Sequence, residues 1–428
     1  MIAALHRSSG TSFVGLIVLK ICPNFLSYCS KYVKKDIITI TGTNGKTTTA
    51  GLISSILEGN NQKVIHNEKG ANMLTGVANA LALDIMPFRR FDYYVLESDE
   101  AYLTKVYDYL PSNYLLVTNL FRDQLDRYGE LDTTARKIQE AIDKNSELKL
   151  LLNADDPMVA NLGPEREKIY FGLNTVEIVS SSINSHSPAE NVNCPVCSES
   201  LKYADRFYAQ QGHYYCNCGY QRPQCHYSGD AKIFEDHSIL KVSALSGDYE
   251  FNFGLIGLYN AYNALAAISL GLELGYEQNQ IQNALNSYQS IFGRAERLIM
   301  QGHQALVQLI KNPTGASEVL KTVDLSSNIL IIINDNYADG RDVSWLWDAN
   351  FEYLQDAKNQ IIVSGHRAND MAVRLKYAGI ETSKITVIPR ISHAIEHMLS
   401  TLDINEKITI LPTYTALLKM QTIQRRYF

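Results

Sequence analysis

The chain has 428 residues, too many for one compact core and enough for two or three domains at roughly 150 residues each. Thirty-nine Lys and Arg against 45 Asp and Glu leave a formal charge of −6, which excludes the global basic field of a nucleic-acid binder. An apolar share of 46% with 20% charged residues excludes a disordered chain.

At the N-terminus the apolar run Phe13 to Leu19 is far shorter than the roughly 20 residues that span a bilayer, and no small-residue cleavage site follows. A cytoplasmic chain without a transmembrane segment is expected. Arg7, Lys20, Lys31, Lys34 and Lys35 surround Phe13 to Leu19 and Phe25-Leu26. This segment, 1–35, either rests peripherally against anionic headgroups at the inner membrane face or packs as a helix on the domain that follows.

Next come a short strand, Ile37 to Ile40, the loop Thr41 to Thr47, and a helix from Thr48 to Glu58 with Ala50, Leu52, Ile53 and Ile56 on one face. Strands at Tyr93–Leu96, Tyr114–Val117 and Leu148–Leu152 alternate with helical stretches such as Thr133 to Asn145. That alternation predicts a mostly parallel sheet covered on both faces. Residues 176–230, rich in Ser, Asn, Tyr and Cys, read as an insertion. A β-like segment, Ser238 to Phe253, and a helix, Tyr259 to Leu274, resume the pattern. A second α/β pattern begins near residue 299, with strands at Ile329–Ile333, Gln360–Val363 and Lys407–Leu411. The domains are therefore placed at 36–298, with the cysteine-rich insertion at about 186–229, and at 299–428.

The loop Gly42-Thr43-Asn44-Gly45-Lys46-Thr47 lies between a strand and a helix, where backbone amides and the positive helix N-terminus attract phosphate. Lys46 adds a point charge and Thr47 a hydroxyl for Mg²⁺. Ile40 stands where the generic phosphate loop has its first glycine. Five of the seven cysteines fall between Cys194 and Cys225. Cys194-Pro195-Val196-Cys197 is a C-x-x-C turn, and Cys216-Asn217-Cys218 follows 18 residues later. Two such turns can close a tetrahedral, structural Zn²⁺ site, with Cys225 or His213 as a possible substitute for one ligand.

Thr41-Gly42-Thr43-Asn44-Gly45-Lys46-Thr47-Thr48 resembles the ATP loop of the Mur ligases and folylpolyglutamate synthases. The likeness continues through Glu97, Val117 to Asp126, Leu152 to Pro157, Gly257 to Asn263, Gly293 to Arg297, Gly340-Arg341-Asp342 and Gly365-His366-Arg367. It implies an α/β fold: a Mur ligase-like P-loop ATPase domain with an inserted zinc ribbon, then a smaller Rossmann-like C-terminal domain. It also implies ATP and Mg²⁺ as cofactors, with Thr43, Asn44, Gly45, Lys46, Thr47, Asn263 and Arg294 at the nucleotide, and Thr47 and Glu97 at Mg²⁺. Such ligases phosphorylate a carboxylate, and an amine then attacks the acyl phosphate.

Three departures narrow the resemblance. About 35 residues precede the loop, where Mur ligases usually carry a UDP-sugar domain. Gln124 stands where those ligases often have a His, and Thr134-Ala135-Arg136-Lys137 does not match their modified lysine. The third departure is the cysteine insertion. With Lys311-Asn312-Pro313-Thr314-Gly315, Asp339 to Asp348 and Leu411 to Thr415, the chain resembles the MurT family, ligase-like subunits of lipid II isoglutaminyl synthases. That resemblance implies a heterodimer with GatD, a class I glutamine amidotransferase that supplies ammonia. It implies amidation of the D-glutamate α-carboxyl of lipid II in peptidoglycan synthesis. An aspartate lent to the partner's Cys-His pair is assigned to Asp342, with Asp339 and Asp348 as alternatives. Trp345 and Trp347, read as an extended segment, are expected to show both rings on one side as an interface anchor. Two other functions are an amino-acid-adding ligase and a non-catalytic zinc scaffold that binds ATP.

Overall fold

The computed structural model describes residues 13–67, 72–85, 89–121, 130–179, 192–234, 236–288, 294–403 and 406–424. Arg7, the segment Arg122 to Asp126 with Gln124, Gly293 and the side chain of Arg294 lie outside them. The described residues fall into two compact units, one through residue 288 and one from 294.

The first unit is built on nine strands: β1 (Val33–Thr41), β2 (Val64–His66), β3 (Phe91–Glu97), β4 (Tyr114–Val117), β5 (Lys149–Asn153), β6 (Lys168–Ile178), and, after a separate hairpin of β7 (Lys202–Tyr208) and β8 (Gln211–Tyr215), β9 (Tyr227–Ile233), β10 (Ser238–Ala244) and β11 (Gly247–Phe253). Their order is β11-β10-β9-β6-β5-β4-β1-β3-β2. From β2 to β9 neighbours run parallel; β10 and β11 close the edge antiparallel.

Period-two alternation sorts the strand side chains into two cores. Ile38, Ile40, Val95, Leu116 and Leu151 share one with the helices Lys46–Gly59, Leu258–Glu273 and Gln278–Ser287. Ile37, Tyr94, Leu96, Leu115, Val117, Leu150 and Leu152 share the other with the helices Leu74–Ile85 and Glu130–Ile142. Burial on both faces explains why these strands read as continuous apolar runs.

The predicted helices at 48–58, 133–145 and 259–274 are shifted by one to three residues, and the β-like stretch at 238–253 is the β10–β11 hairpin. At the N-terminus the helix Phe13–Ile21 packs on Leu74–Ile85. A Cβ at Gly15 would lie 1.9 Å from the Thr75 carbonyl oxygen, so backbone meets backbone at that crossing. Among the described residues no single helix is long and apolar enough to cross a membrane.

The second unit has six strands, β12 (Arg294–Met300), β13 (His303–Gln308), β14 (Asn328–Ile332), β15 (Ile361–Ser364), β16 (Ile385–Val387) and β17 (Ile408–Pro412), in the order β12-β13-β17-β14-β15-β16. Only β12–β13 is antiparallel. Leu330, Ile332, Ile362 and Ile410 pack with the helices Ile391–Thr401 and Tyr414–Gln424, while the alternate residues Ile329, Ile331 and Val363 are equally buried.

Candidate functional site

β1 delivers the chain to a loop from Gly42 to Gly45, and the helix Lys46–Gly59 starts directly behind it. Gly45 has φ +87°, and a Cβ there would also lie 2.1 Å from Asn263 Oδ1. Backbone conformation and space both demand glycine. Asn263 is buried behind the loop and accepts from Thr49 Oγ1 at 3.4 Å. Lys46 Nζ donates to the Gly42 carbonyl and to Glu100 Oε1 at 3.2 Å, which keeps the ammonium over the mouth of its own loop. Sequence reasoning did not single out Glu100, which reads as one more acid after Glu97.

Beside the loop, Thr47 Oγ1 donates to Glu97 Oε2 at 2.8 Å. Asn67 brackets the Glu97 backbone, accepting from its N–H at 2.7 Å and donating to its carbonyl at 2.9 Å. Glu97 Oε1 and His66 Nε2 are buried 3.5 Å apart, an ion pair only if the imidazole is protonated, and among the described residues neither has a hydrogen-bond partner. A buried carboxylate oxygen without a donor is costly, and a cation is the natural counter-group. Thr47 and Glu97 therefore fit Mg²⁺. His66 and Asn67 were missed because β2 has only three residues and no readable period.

The segment after β4 clasps the loop. Thr43 N–H donates to the Asn119 carbonyl at 2.9 Å, and Asn44 N–H to Asn119 Oδ1 at 2.8 Å. Phe121 N–H donates to Thr43 Oγ1 at 3.0 Å. Asp156 supports this segment from beneath, accepting from the Leu120 N–H at 2.9 Å while capping the helix Pro157–Ala160. Burial pushes the Asp156 carboxyl up to about 6 despite these donors.

The cysteine turns lie at one end of the β7–β8 hairpin. Cys194 N–H donates to the Glu199 carbonyl and Cys216 N–H to the Tyr220 carbonyl, each at 2.7 Å, so each turn folds its thiols inward. The Sγ atoms of Cys194, Cys197, Cys216 and Cys218 all lie within 4.8 Å of one another. Cys194 to Cys218 is 3.6 Å and Cys197 to Cys216 is 3.4 Å. A tetrahedron with Zn–S bonds of about 2.3 Å has edges of about 3.8 Å. The Cys218 amide, then the neighbouring sulfurs, bring the Cys216 thiol down to about 7, while at Cys197 the Glu199 amide is outweighed by those sulfurs, which push its thiol up to about 12, so without metal one thiol of the group is the first to ionise. His213 instead pairs with the Leu173 carbonyl at 2.9 Å. Cys225 lies apart, where burial pushes its thiol up to about 12. Four sulfurs and no open position fit a structural zinc.

In the second unit, the segment from Asp339 to Asp348 follows β14. The expectation that Trp345 and Trp347 share one side is wrong. Ser344–Trp347 is a 3₁₀ turn, in which residues two apart point about 240° from each other. Trp345 is buried at 3% exposure and Trp347 is 53% exposed, set edge-on against Tyr377. Asp339 is spent on loop closure, accepting from the Thr415 N–H at 2.7 Å and from its hydroxyl. Asp342 accepts from the Ser344 N–H at 2.8 Å. The Ser344 hydroxyl and amide hold the Asp342 carboxyl below the ordinary carboxylate range, so it is an ionised acceptor at neutral pH.

A doubly covered parallel sheet with a Gly-Lys-Thr loop at the carboxyl end of β1 and a buried acid at the end of β3 defines a phosphate-binding α/β protein of the Mur ligase type. The Mur ligase middle domain model matches residues 40–271, and the MurT ligase C-terminal model matches residues 309–417. The lipid II isoglutaminyl synthase (glutamine-hydrolyzing) subunit MurT of Staphylococcus aureus (strain COL) is 36% identical over 426 residues, covering 98% of this chain and 94% of its own. That of Streptococcus pneumoniae (strain ATCC BAA-255 / R6) is 34% identical over 421 residues, covering 97% and 92%. Among solved structures, the pseudomurein peptide ligase type C from Methanothermus fervidus shares the fold at a TM-score of 0.72 and 23% identity, over 93% of this chain and 80% of that one. Mycobacterium tuberculosis folylpolyglutamate synthase shares it at 0.65 and 12% identity, over 100% and 97%. The chain belongs to the MurT family of Mur ligase-like proteins.

Proposed function

We propose that this chain is the ATP-using subunit of an enzyme that amidates the D-glutamate α-carboxyl of lipid II in peptidoglycan synthesis. The observation that carries the reading is Lys46, Thr47 and the half-satisfied Glu97 gathered at one loop, in a chain related along nearly its whole length to MurT subunits. The loop amides from Thr43 to Gly45 and Lys46 would hold the β- and γ-phosphates, with Asn263 and Arg294 assigned to the nucleotide. Thr47 and Glu97 would hold Mg²⁺, which neutralises phosphate charge when bound.

A carboxylate is a poor electrophile because its leaving group is an oxide. Its oxygen attacks the γ-phosphorus, the bond to the β-phosphate oxygen breaks, and ADP leaves. Ammonia then attacks the acyl carbon, the C–O electron pair leaves with inorganic phosphate, and a proton lost from nitrogen gives the amide. Lys46 would exchange its contact with Glu100 for the γ-phosphate, so Glu100 is the counter-charge of the ammonium until nucleotide replaces it.

A GatD-like glutaminase would supply the ammonia, with Asp342 completing its Cys-His pair from the second unit. An Asp held ionised fixes the histidine tautomer and stabilises imidazolium. Cys194, Cys197, Cys216 and Cys218 are read as structural Zn²⁺ ligands, residues 36–298 as the ATP-binding domain, and 299–428 as the partner-binding one. Exposed Phe13, Leu16 and Ile21, with Lys20 and Lys31 exposed in the same N-terminal segment, suit peripheral contact with anionic lipid where lipid II resides. The test is ATP-dependent turnover by the chain co-purified with its glutaminase. Consumption of ammonia supports the reading, and consumption of an amino acid instead supports an amino-acid-adding ligase.

A further inference from the structure

We infer that Gln210 positions the phosphate loop, so that metal loading of the four-cysteine cluster and nucleotide binding are coupled. This rests on the zinc and ATP readings above. The turn of the β7–β8 hairpin is buried. Hairpin turns belong at the surface, yet Ala209, Gln210 and Gln211 are 4%, 0% and 0% exposed. Ala209 also carries φ +48°, a conformation that costs about 1 kcal/mol for a residue with a Cβ. Chain held in that state, inside the core, is held by something.

The contacts show what. Gly212 N–H donates to the Asp155 carbonyl at 3.0 Å, and Tyr203 OH donates to the Gln210 carbonyl at 2.8 Å. Gln210 Nε2 donates to the Leu120 carbonyl and to Asp156 Oδ2 at 3.3 Å. The same Asp156 oxygen accepts the Leu120 N–H, so Gln210 and Asp156 grip both polar groups of one peptide segment. The Tyr208 ring meets Phe121 edge-on at 4.9 Å. Leu120 and Phe121 belong to the clasp that fixes Thr43 and Asn44. The path from the cysteine turns to the phosphate loop is therefore continuous: strands β7 and β8, Gln210, Leu120, the loop.

A two-stranded hairpin is marginal by itself. The cysteine turns lie next to Lys202 at one end of β7 and Tyr215 at the end of β8, so a metal there fixes the register that carries Gln210 inward. By linkage, if metal favours the docked hairpin and the docked hairpin favours nucleotide, nucleotide must tighten metal binding by the same factor.

The experiment uses the full chain, zinc-loaded and zinc-stripped, with two readouts: calorimetric affinity for a non-hydrolysable ATP analogue, and zinc transfer to a chromophoric chelator. Wild type should lose about tenfold in analogue affinity on stripping, the worth of roughly one well-made buried hydrogen bond, and saturating analogue should tighten zinc by the same factor. Gln210→Met keeps the volume and removes the donor. It should retain one zinc per chain, bind the analogue about tenfold more weakly, raise KM for ATP without lowering kcat, and show no coupling between the two ligands. A merely structural Gln210 would lower zinc content or stability and leave the coupling factor intact, which overturns the inference. Equal analogue affinity in loaded and stripped wild type, or wild-type affinity in Gln210→Met, also overturns it. Wild type that binds no analogue at all sinks the ATP reading itself, a distinguishable failure.

Discussion

Replacing Glu97 by Gln should stabilise the free protein and remove most of the stabilisation that ATP and Mg²⁺ add. In the free protein Glu97 Oε2 accepts the Thr47 hydroxyl, while Oε1 and His66 Nε2 are buried 3.5 Å apart, an ion pair only if the imidazole is protonated, and have no hydrogen-bond partner among the described residues. A glutamine amide keeps the acceptor toward Thr47, replaces the other oxygen by an N–H donor, and turns that donor toward His66 Nε2. Leaving such a group unsatisfied costs about 1–3 kcal/mol, so the free variant should be more stable by that amount. At about 2–4 °C per kcal/mol for a unit of this size, the unfolding midpoint rises by several degrees. Saturation with ATP and Mg²⁺ at about a hundred times Kd should add about 2.7 kcal/mol to wild type, and little of it to the variant. Thermal unfolding with and without ATP and Mg²⁺ reads both effects. A free variant less stable than wild type, or one with an undiminished ATP–Mg²⁺ gain, would refute the assignment of that oxygen to a cation.

Asp342→Asn should reduce glutamine-dependent amidation by roughly 10³-fold or more while amidation from free ammonia persists; retained glutaminase activity in the complex would move the role to Asp339 or Asp348. Asp156 predicts a pH signature. Its carboxyl titrates near 6 when folded against 3.8 as the reference, so the folded state holds the proton more tightly. The stability this contributes is fully present below about pH 4 and is lost as pH rises through 6, at most about 3 kcal/mol in all. Urea midpoints should show wild type losing stability relative to Asp156→Asn across that window, and a constant difference would remove the argument. Charge reversal at Lys20 and Lys31 should weaken co-sedimentation with anionic vesicles, at about 1 kcal/mol per lost cation; indifference to the reversal would argue against lipid contact.

The sheet of the first unit was legible because strands buried on both faces leave long Val, Ile and Leu runs, and the loop because its glycines, lysine and threonine lie at fixed spacing from a strand. The cysteine cluster was legible in the same way, down to its four sulfurs, and the structure adds that His213 pairs with the Leu173 carbonyl and that Cys225 is not among the gathered sulfurs. What escaped has a common cause. His66, Glu100 and Gln210 contact residues distant in sequence, from a three-residue strand, a loop and a hairpin turn, where composition suggests only solvent-facing residues. The tryptophans were misread because a two-residue spacing means one face in a strand and different faces in a 3₁₀ turn.

If this chain activates a lipid II carboxylate with ATP for amidation by ammonia from glutamine, the amide nitrogen comes from glutamine and its formation requires ATP. The most direct measurement is mass spectrometry of lipid II after incubation with the chain, its glutaminase partner, ATP, Mg²⁺ and glutamine carrying heavy nitrogen in its amide. D-isoglutamine bearing the heavy nitrogen should form, with one ADP and one phosphate released per amide, and no product should form with Lys46→Ala. Amide formed equally well by Lys46→Ala, or without ATP, would contradict it.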